Sequence, residues 1–313
     1  MLSFVFPGQG AQFVGMGREL AQRVPKSMEV FTMADQVLGF SLSDLCWNGP
    51  EEALKQTINT QPAIVAMSLA CYRALQQEGI EPDLVAGHSV GEYAALVAAG
   101  VLDLADAIRL VRRRGEFMQE AGTLHPSTMA AIVGLSSDKV EEICREASSA
   151  GVVVLANLNS PDQMVISGDF PAVEAARELA VKAGAKRAIP LAVSAAFHSP
   201  LMEGAAAKLA EELDRTKFKD ARIPIVANIS ARPIQKAKEI REALKGQITA
   251  RVLWEESVRT MRRSGVTAVV EAGPGKVLSG LIKRIEPEMK LFNVQDMAGV
   301  EKTKEGLFSP LEN

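Results

Sequence analysis

The chain has 313 residues, 47% hydrophobic and 23% charged, an ordinary globular balance that excludes a mostly disordered polypeptide. With 35 Lys and Arg against 38 Asp and Glu, the formal charge is −3, so the whole chain does not read as a nucleic-acid binder. Cys46, Cys71 and Cys144 are dispersed without C-x-x-C spacing, which argues against a disulfide framework or a thiolate zinc site and suits a reducing cytoplasm.

Leu2–Phe6 reads as a strand, followed by the Gly-rich turn Pro7-Gly8-Gln9-Gly10. This opening has no basic segment and no long apolar segment, so it does not read as a signal peptide. Ser27–Leu38 and Gln61–Glu78 have helical patterns, Leu84–Gly87 is a buried strand and Val90–Ala99 a helix. Asp103 stands at an N-cap position ahead of a helix running to about Ala121. Glu92 and scattered Lys and Arg interrupt the apolar runs, so no membrane span is expected.

The middle of the chain reads as strand Met129–Val133, helix Asp138–Ala150, strand Val152–Ala156, strand Gln163–Ser167, helix Pro171–Ala183 and strand Arg187–Val193. That is the β-α-β-β-α-β order of a ferredoxin-like unit. Helix Leu201–Leu213, strand Pro224–Ile229, helix Val252–Arg263, strand Ala268–Glu271, helix Lys276–Ile285 and edge strand Lys290–Val294 follow. The tail beyond Val294 is weakly patterned. The expectation is an α/β fold: an α/β-hydrolase-like large domain with a parallel sheet, formed by 1–124 and 196–313, and an inserted ferredoxin-like small domain at 125–195.

Gly87-His88-Ser89-Val90-Gly91 is G-x-S-x-G between a buried strand and a helix. A sharp turn there needs small flanking residues, and it exposes the Ser89 hydroxyl at a helix N-terminus, where developing negative charge is favoured. A Gly-rich turn with a capping serine is the bland alternative. A serine nucleophile needs a base, and the chain has 3 histidines. His88 adjoins Ser89 and points to the other strand face, so it reads as a packed or hydrogen-bonded core residue. His125 sits in a His-Pro loop and reads as solvent-facing. His198 follows the run Leu191–Phe197, read as buried, and precedes Ser199-Pro200, a strand-end loop of the kind where α/β folds assemble sites. Elimination points to His198.

On the helical wheel, Leu104, Ala107, Ile108, Val111 and Met118 form one apolar stripe. Arg114 falls between Ala107 and Leu110, Arg112 beside the stripe and Arg113 opposite it. An inward Arg114 needs an anion, which a substrate carboxylate held bidentate would supply. A structural ion pair, or a guanidinium reaching back to solvent, meets the same need. No dinucleotide fingerprint, P-loop or metal-ligand spacing appears. No acid stands out at a strand end between Ser89 and His198, so the partner orienting the histidine reads as an amide or a backbone carbonyl.

Several motifs occur in order from about residue 2 to about residue 295: Phe6-Pro7-Gly8-Gln9-Gly10-Ala11-Gln12, Gly87-His88-Ser89-Val90-Gly91-Glu92-Tyr93, Arg114-Gly115 with Phe117-Met118-Gln119, Ala156-Asn157 with Asn159-Ser160-Pro161, Ala196-Phe197-His198-Ser199-Pro200-Leu201-Met202 and Gly273-Pro274-Gly275-Lys276-Val277-Leu278. Together they resemble the malonyl-CoA:acyl carrier protein transacylases, the stand-alone enzymes of type II fatty acid synthesis. The resemblance implies Ser89 as nucleophile, His198 as base, and the backbone N–H groups of Gln9 and Val90 as oxyanion hole. It implies Arg114 as clamp for the malonyl carboxylate, with Phe197, Met118 and Asn157 also binding substrate. Gln247 matches the position whose main-chain carbonyl orients the histidine, making the pair a Ser–His dyad. Phe197 is similar to malonyl-selective members.

The resemblance further implies malonyl-CoA as donor, no permanently bound cofactor or metal, and a cytoplasmic monomer that binds neither nucleic acid nor membrane. The acceptor would be an acidic, phosphopantetheinylated acyl carrier protein from another chain, since the sequence has no Asp-Ser dipeptide. A basic patch would suit such a partner, and Lys276, Lys283 and Arg284 are loose candidates beside the simpler reading of solvated helix faces. The alternatives are a trans-acting acyltransferase of a polyketide synthase, an acyl-thioester hydrolase, and a non-enzymatic carrier-docking subunit.

Overall fold

The computed structural model describes residues 1–308, so the end of the expected large domain, 309–313, lies outside the described residues. Ten strands form two sheets: β1 (Leu2–Phe6), β2 (Leu84–Gly87), β3 (Ser127–Val133), β4 (Val153–Ser160), β5 (Gln163–Asp169), β6 (Arg187–Pro190), β7 (Ile225–Val226), β8 (Pro233–Ile234), β9 (Ala268–Ala272) and β10 (Lys290–Val294). The larger sheet has the order β10-β9-β1-β2-β7-β8 and is parallel except for β8, which pairs antiparallel with β7.

Its central strands are apolar along their length because helices cover both faces. Side chains alternate between those faces. Phe4 and Phe6 enter a core with Ile64 and Leu69 of helix Thr57–Gln77. Val5 enters a second core with Trp254 and Val258 of helix Trp254–Arg263 and Leu281 of helix Val277–Ile285.

The smaller sheet is antiparallel, in the order β4-β5-β3-β6, with helices Ser137–Ala147 and Phe170–Lys182 supplying its own core. Ala130, Ile132, Met164 and Ile166 face that core, while Met129, Ala131 and Val165 on the opposite face pack against the main core. The sheets meet where the Leu158 N–H donates to Val252 O at 2.9 Å, the Val252 N–H donates to Ala156 O at 2.9 Å and Arg251 Nε donates to Leu155 O at 3.0 Å.

The α/β class and the β-α-β-β-α-β middle agree with the sequence reading. The expected strand Arg187–Val193 stops at Pro190, and Leu191–Ser194 runs half-exposed rather than buried. The expected strand Pro224–Ile229 shrinks to Ile225–Val226, because Asn228 leaves the ladder for the site. Asp103 makes no capping hydrogen bond and instead pairs with Lys219 at 3.1 Å. The weakly patterned tail contains helix Met297–Phe308. Cys46, Cys71 and Cys144 are buried free thiols, each pushed well above the ordinary thiol range by burial.

Candidate active site

Phe6 pairs with Gly87, so β1 and β2 end side by side, and the loops after them open at the carboxyl edge of the sheet. Ser89 lies in the turn between β2 and helix Gly91–Ala98, with φ at +52°. A left-handed serine is strained and persists only where its surroundings hold it. Part of that hold is steric. A Cβ on Gly87 would lie 2.1 Å from Gly91 C, and one on Gly91 would lie 2.2 Å from Phe6 O. The rest is Asn228, whose Oδ1 accepts the Ser89 N–H at 2.7 Å while its Nδ2 donates to Gly87 O at 2.6 Å.

Ser89 Oγ lies 2.8 Å from His198 Nε2. His198 is also left-handed, at φ +57°, and its backbone N–H donates to Ile248 O at 3.0 Å. Its Nδ1 faces two carbonyl oxygens, Gln247 O at 2.9 Å and Ala250 O at 3.1 Å. Only a protonated Nδ1 satisfies them, so Nε2 is the unprotonated nitrogen and accepts from the serine hydroxyl.

Burial, reinforced by the Arg114 charge, pushes the His198 pKa from 6.5 down to about 3, with the two carbonyls opposing. The imidazole is therefore neutral and able to take a proton. The folded pKa lies below the unfolded one, so stability from keeping this ring neutral is complete above about pH 6.5 and is lost as pH falls toward about 3. Urea unfolding at several pH values should show stability falling across that window, and His198→Gln should flatten the fall.

Arg114 lies on the inward face of helix Leu104–Leu124 and is 1% exposed. Nη1 donates to Gln61 Oε1 at 2.9 Å, and Nη2 donates to Ser89 Oγ at 3.0 Å and Gln247 Oε1 at 3.1 Å. Nε has no partner among the described residues. The wheel placement of its neighbours also holds. Arg113 points outward to Glu116 and Glu212, and Arg112 sits on the flank against Ile58 O, Asn59 and Glu116.

Ser89, His198, Arg114 and Gln61 line a cavity of about 270 Å³. Gln9 and Val90 reach its wall, and neither backbone N–H has an acceptor among the described residues. Phe197, Met118 and Asn157 also line it, Asn157 from β4. Ser89, His198 and Arg114, read from local pattern, thus share the cavity with Gln9, Val90, Phe197, Met118 and Asn157, implied by the resemblance, while Gln247 is bonded to Arg114 and His198 beside it. Gln247 contributes both its carbonyl, toward His198, and its side chain, whose Nε2 donates to Ser89 O at 3.0 Å.

His88 is hydrogen-bonded as expected, 2.9 Å from Asn159 Oδ1 and edge-on to Trp254, but it is half-buried and lines the same cavity as Ser89 rather than sitting in the core. His125 is exposed and paired with Asp169 at 2.7 Å. Lys276 is exposed, Lys283 donates to Pro287 O at 2.7 Å, and Arg284 is held by Gln163 and Asp162. Among the described residues no three His, Cys, Asp or Glu side chains are grouped to hold a metal, and no helix is long and apolar enough to cross a membrane.

Sequence reading missed Gln61, Glu92 and Asn228. Asn228 was findable, as an amide just past the carboxyl end of a short apolar strand. Glu92 was findable as an acid inside an otherwise apolar helix.

A serine on a strand-to-helix turn, a neutral histidine within hydrogen-bond reach and free N–H groups beside both define an acyl-transfer site on an α/β fold. Residues 3–303 match the family model described as the acyl transferase domain, and the chain belongs to that family. It is 46% identical over 301 residues to the malonyl CoA-acyl carrier protein transacylase of Bacillus subtilis, covering 96% of this chain and 95% of that one. The solved malonyl CoA-acyl carrier protein transacylase of Coxiella burnetii superposes with a TM-score of 0.94 at 39% identity, covering 97% of this chain and 96% of that one. A malonyl-transacylase solved in complex with its type II PKS acyl-carrier protein also superposes with a TM-score of 0.94, at 43% identity over 97% of this chain and 99% of that one.

Proposed function

We propose that the chain transfers a malonyl group from malonyl-CoA to the phosphopantetheine thiol of an acyl carrier protein through a malonyl-Ser89 intermediate. The observation that carries this reading is one cavity holding the Ser89–His198 pair at 2.8 Å with the Arg114 guanidinium against the same hydroxyl at 3.0 Å. The relatives' names give the acyl group and the acceptor.

Ser89 Oγ attacks the thioester carbonyl while His198 Nε2 takes its proton. The tetrahedral oxyanion rests against the Gln9 and Val90 N–H groups, each such donor being worth about 3 kcal/mol in comparable sites. Collapse breaks the C–S bond, and the proton on Nε2 passes to the departing sulfur, releasing CoA as its thiol. The carrier's thiol then gives its proton to Nε2 and attacks the malonyl ester; the C–Oγ bond breaks, and Nε2 returns the proton to Ser89 Oγ.

Arg114 holds the free carboxylate, its unpartnered Nε and its terminal nitrogens supplying a bidentate face. Phe197, Met118 and Asn157 shape the acyl space. The Gln247 carbonyl keeps the proton on His198 Nδ1, which is the work an acid does in a triad. All reacting groups come from one chain, so a monomer suffices. Three buried free thiols suit a cytoplasmic setting. Residues 125–195 form the inserted small domain in this reading, supported by the separate core beneath their sheet.

Incubation with malonyl-CoA should add one malonyl group to Ser89, seen by peptide mass spectrometry, and holo carrier protein should remove it with formation of malonyl-carrier. Release to water alone would identify a hydrolase. No adduct at all would reject the reading.

A further inference from the structure

Every group that hydrogen-bonds to Arg114 is neutral: Gln61 Oε1, Gln247 Oε1 and Ser89 Oγ. Among the described residues no Asp or Glu lines the cavity. A buried guanidinium without a counter-charge is strongly disfavoured. One turn downstream of the serine, Glu92 is joined to Arg114 through a single side chain: Gln247 accepts from Arg114 Nη2 with its oxygen and donates to Glu92 with its Nε2, and the Tyr93 and Glu92 side chains both favour the charged guanidinium. Burial holds the Tyr93 hydroxyl protonated, which leaves Glu92 as the source of charge. Glu92 is 3% exposed. Its carboxylate accepts from Gln247 Nε2, and the Asn228 backbone N–H favours its charged form. The Gln247 amide is thereby fixed, with NH2 toward Glu92 and Ser89 O and its oxygen toward Arg114.

Resting on the reading that a malonyl group enters this cavity, we infer that Glu92 is the resident counter-charge of Arg114 and sets how strongly the site prefers an acyl group bearing a carboxylate over a neutral one. Above about pH 7, where Glu92 is ionised, the Arg114–Glu92 couple of the empty cavity is neutral. A malonyl carboxylate adds a second negative charge to one cation, while an acetyl group adds none. Glu92 thus tempers the selectivity that Arg114 supplies. It acts through the field and through Gln247, touching no substrate.

Glu92→Gln keeps an oxygen acceptor for Gln247 Nε2 and removes the charge. At about pH 8, single-turnover acylation of Ser89 by malonyl-CoA and by acetyl-CoA should then give a malonyl-to-acetyl rate ratio about tenfold above wild type, as expected for losing a like charge in a partly shielded interior. Glu92→Asp, which keeps the charge, should stay within about twofold of wild type on the same reasoning. The ratio does not depend on the fraction of folded enzyme.

If the Gln variant does not accumulate, wild type carries the test. Burial raises the Glu92 carboxyl to about 7, against the Arg114 charge and the two donors. The charged or titratable groups facing it are Arg114 from helix Leu104–Leu124 and Tyr93 from its own helix; Gln247 and Asn228 bring no charge. The wild-type ratio should fall as pH rises from about 6 to about 8, the range over which such a carboxyl ionises. An unchanged ratio in Glu92→Gln, including an equal loss with both donors, overturns the inference, as does a ratio flat with pH in wild type. Absence of malonyl-Ser89 in wild type overturns the functional reading, and the inference falls with it.

Discussion

Alanine in place of His198 is expected to slow formation of acyl-Ser89 by about a thousandfold or more, the usual effect of removing a positioned general base. Among the described residues the imidazole is the only titratable group bonded to Ser89 Oγ that can take its proton, since the other partner of that oxygen is the Arg114 guanidinium. The neutral form is the one present, because burial and the Arg114 charge hold the pKa near about 3. Water entering the space left by the ring would be a far weaker base. The donor should still bind, since its carboxylate contacts lie on Arg114. Rapid-quench mass spectrometry of the adduct, beside a titration of malonyl-CoA binding, measures both quantities. A rate within about tenfold of wild type would remove His198 from the role of base.

Arg114→Ala should lose malonyl transfer by about a thousandfold while acetylation of Ser89 stays within about tenfold of wild type, because a fully buried charge partner carries several kcal/mol. Alanine leaves no cation to meet the malonyl carboxylate, and burying that anion unpaired is the larger penalty. An acetyl group brings no such charge. The substitution also frees Gln61 Oε1 and Gln247 Oε1 inside the protein, so stability should fall by about 1–3 kcal/mol, read from urea unfolding. Arg114→Lys should recover part of the malonyl rate, since a point charge remains without the planar fork. Equal losses with both donors would count against the clamp.

The parts of the site legible in the sequence were those fixed by local periodicity. G-x-S-x-G between an apolar strand and a helix placed Ser89, and the wheel of helix Leu104–Leu124 turned Arg114 inward and Arg113 outward. What stayed hidden were contacts between residues far apart in the chain. Asn228 clasps the turn across 139 and 141 residues, and Gln247 reaches Ser89 O across 158. No local pattern encodes such distances. Helix Ala237–Gln247 did not emerge from the sequence, so the position of Gln247 rested on family resemblance alone. The strand after Arg187 was overrun for a related reason. Leu191-Ala192-Val193 has strand-like residues, yet the ladder with β3 ends at Pro190. A strand needs a partner as well as a propensity.

The two sheets divide the cavity unevenly. Ser89, Arg114, His198 and Gln247 lie outside the smaller sheet, whose face contributes Met129, Ala131 and Val165 to the lining. Exchanges at those three positions would widen or narrow the space for an acyl chain without shifting any reacting atom. Selection acting on chain shape thus has a surface of its own, and lineages that retain the same bond-making apparatus are free to diverge in the acids they load.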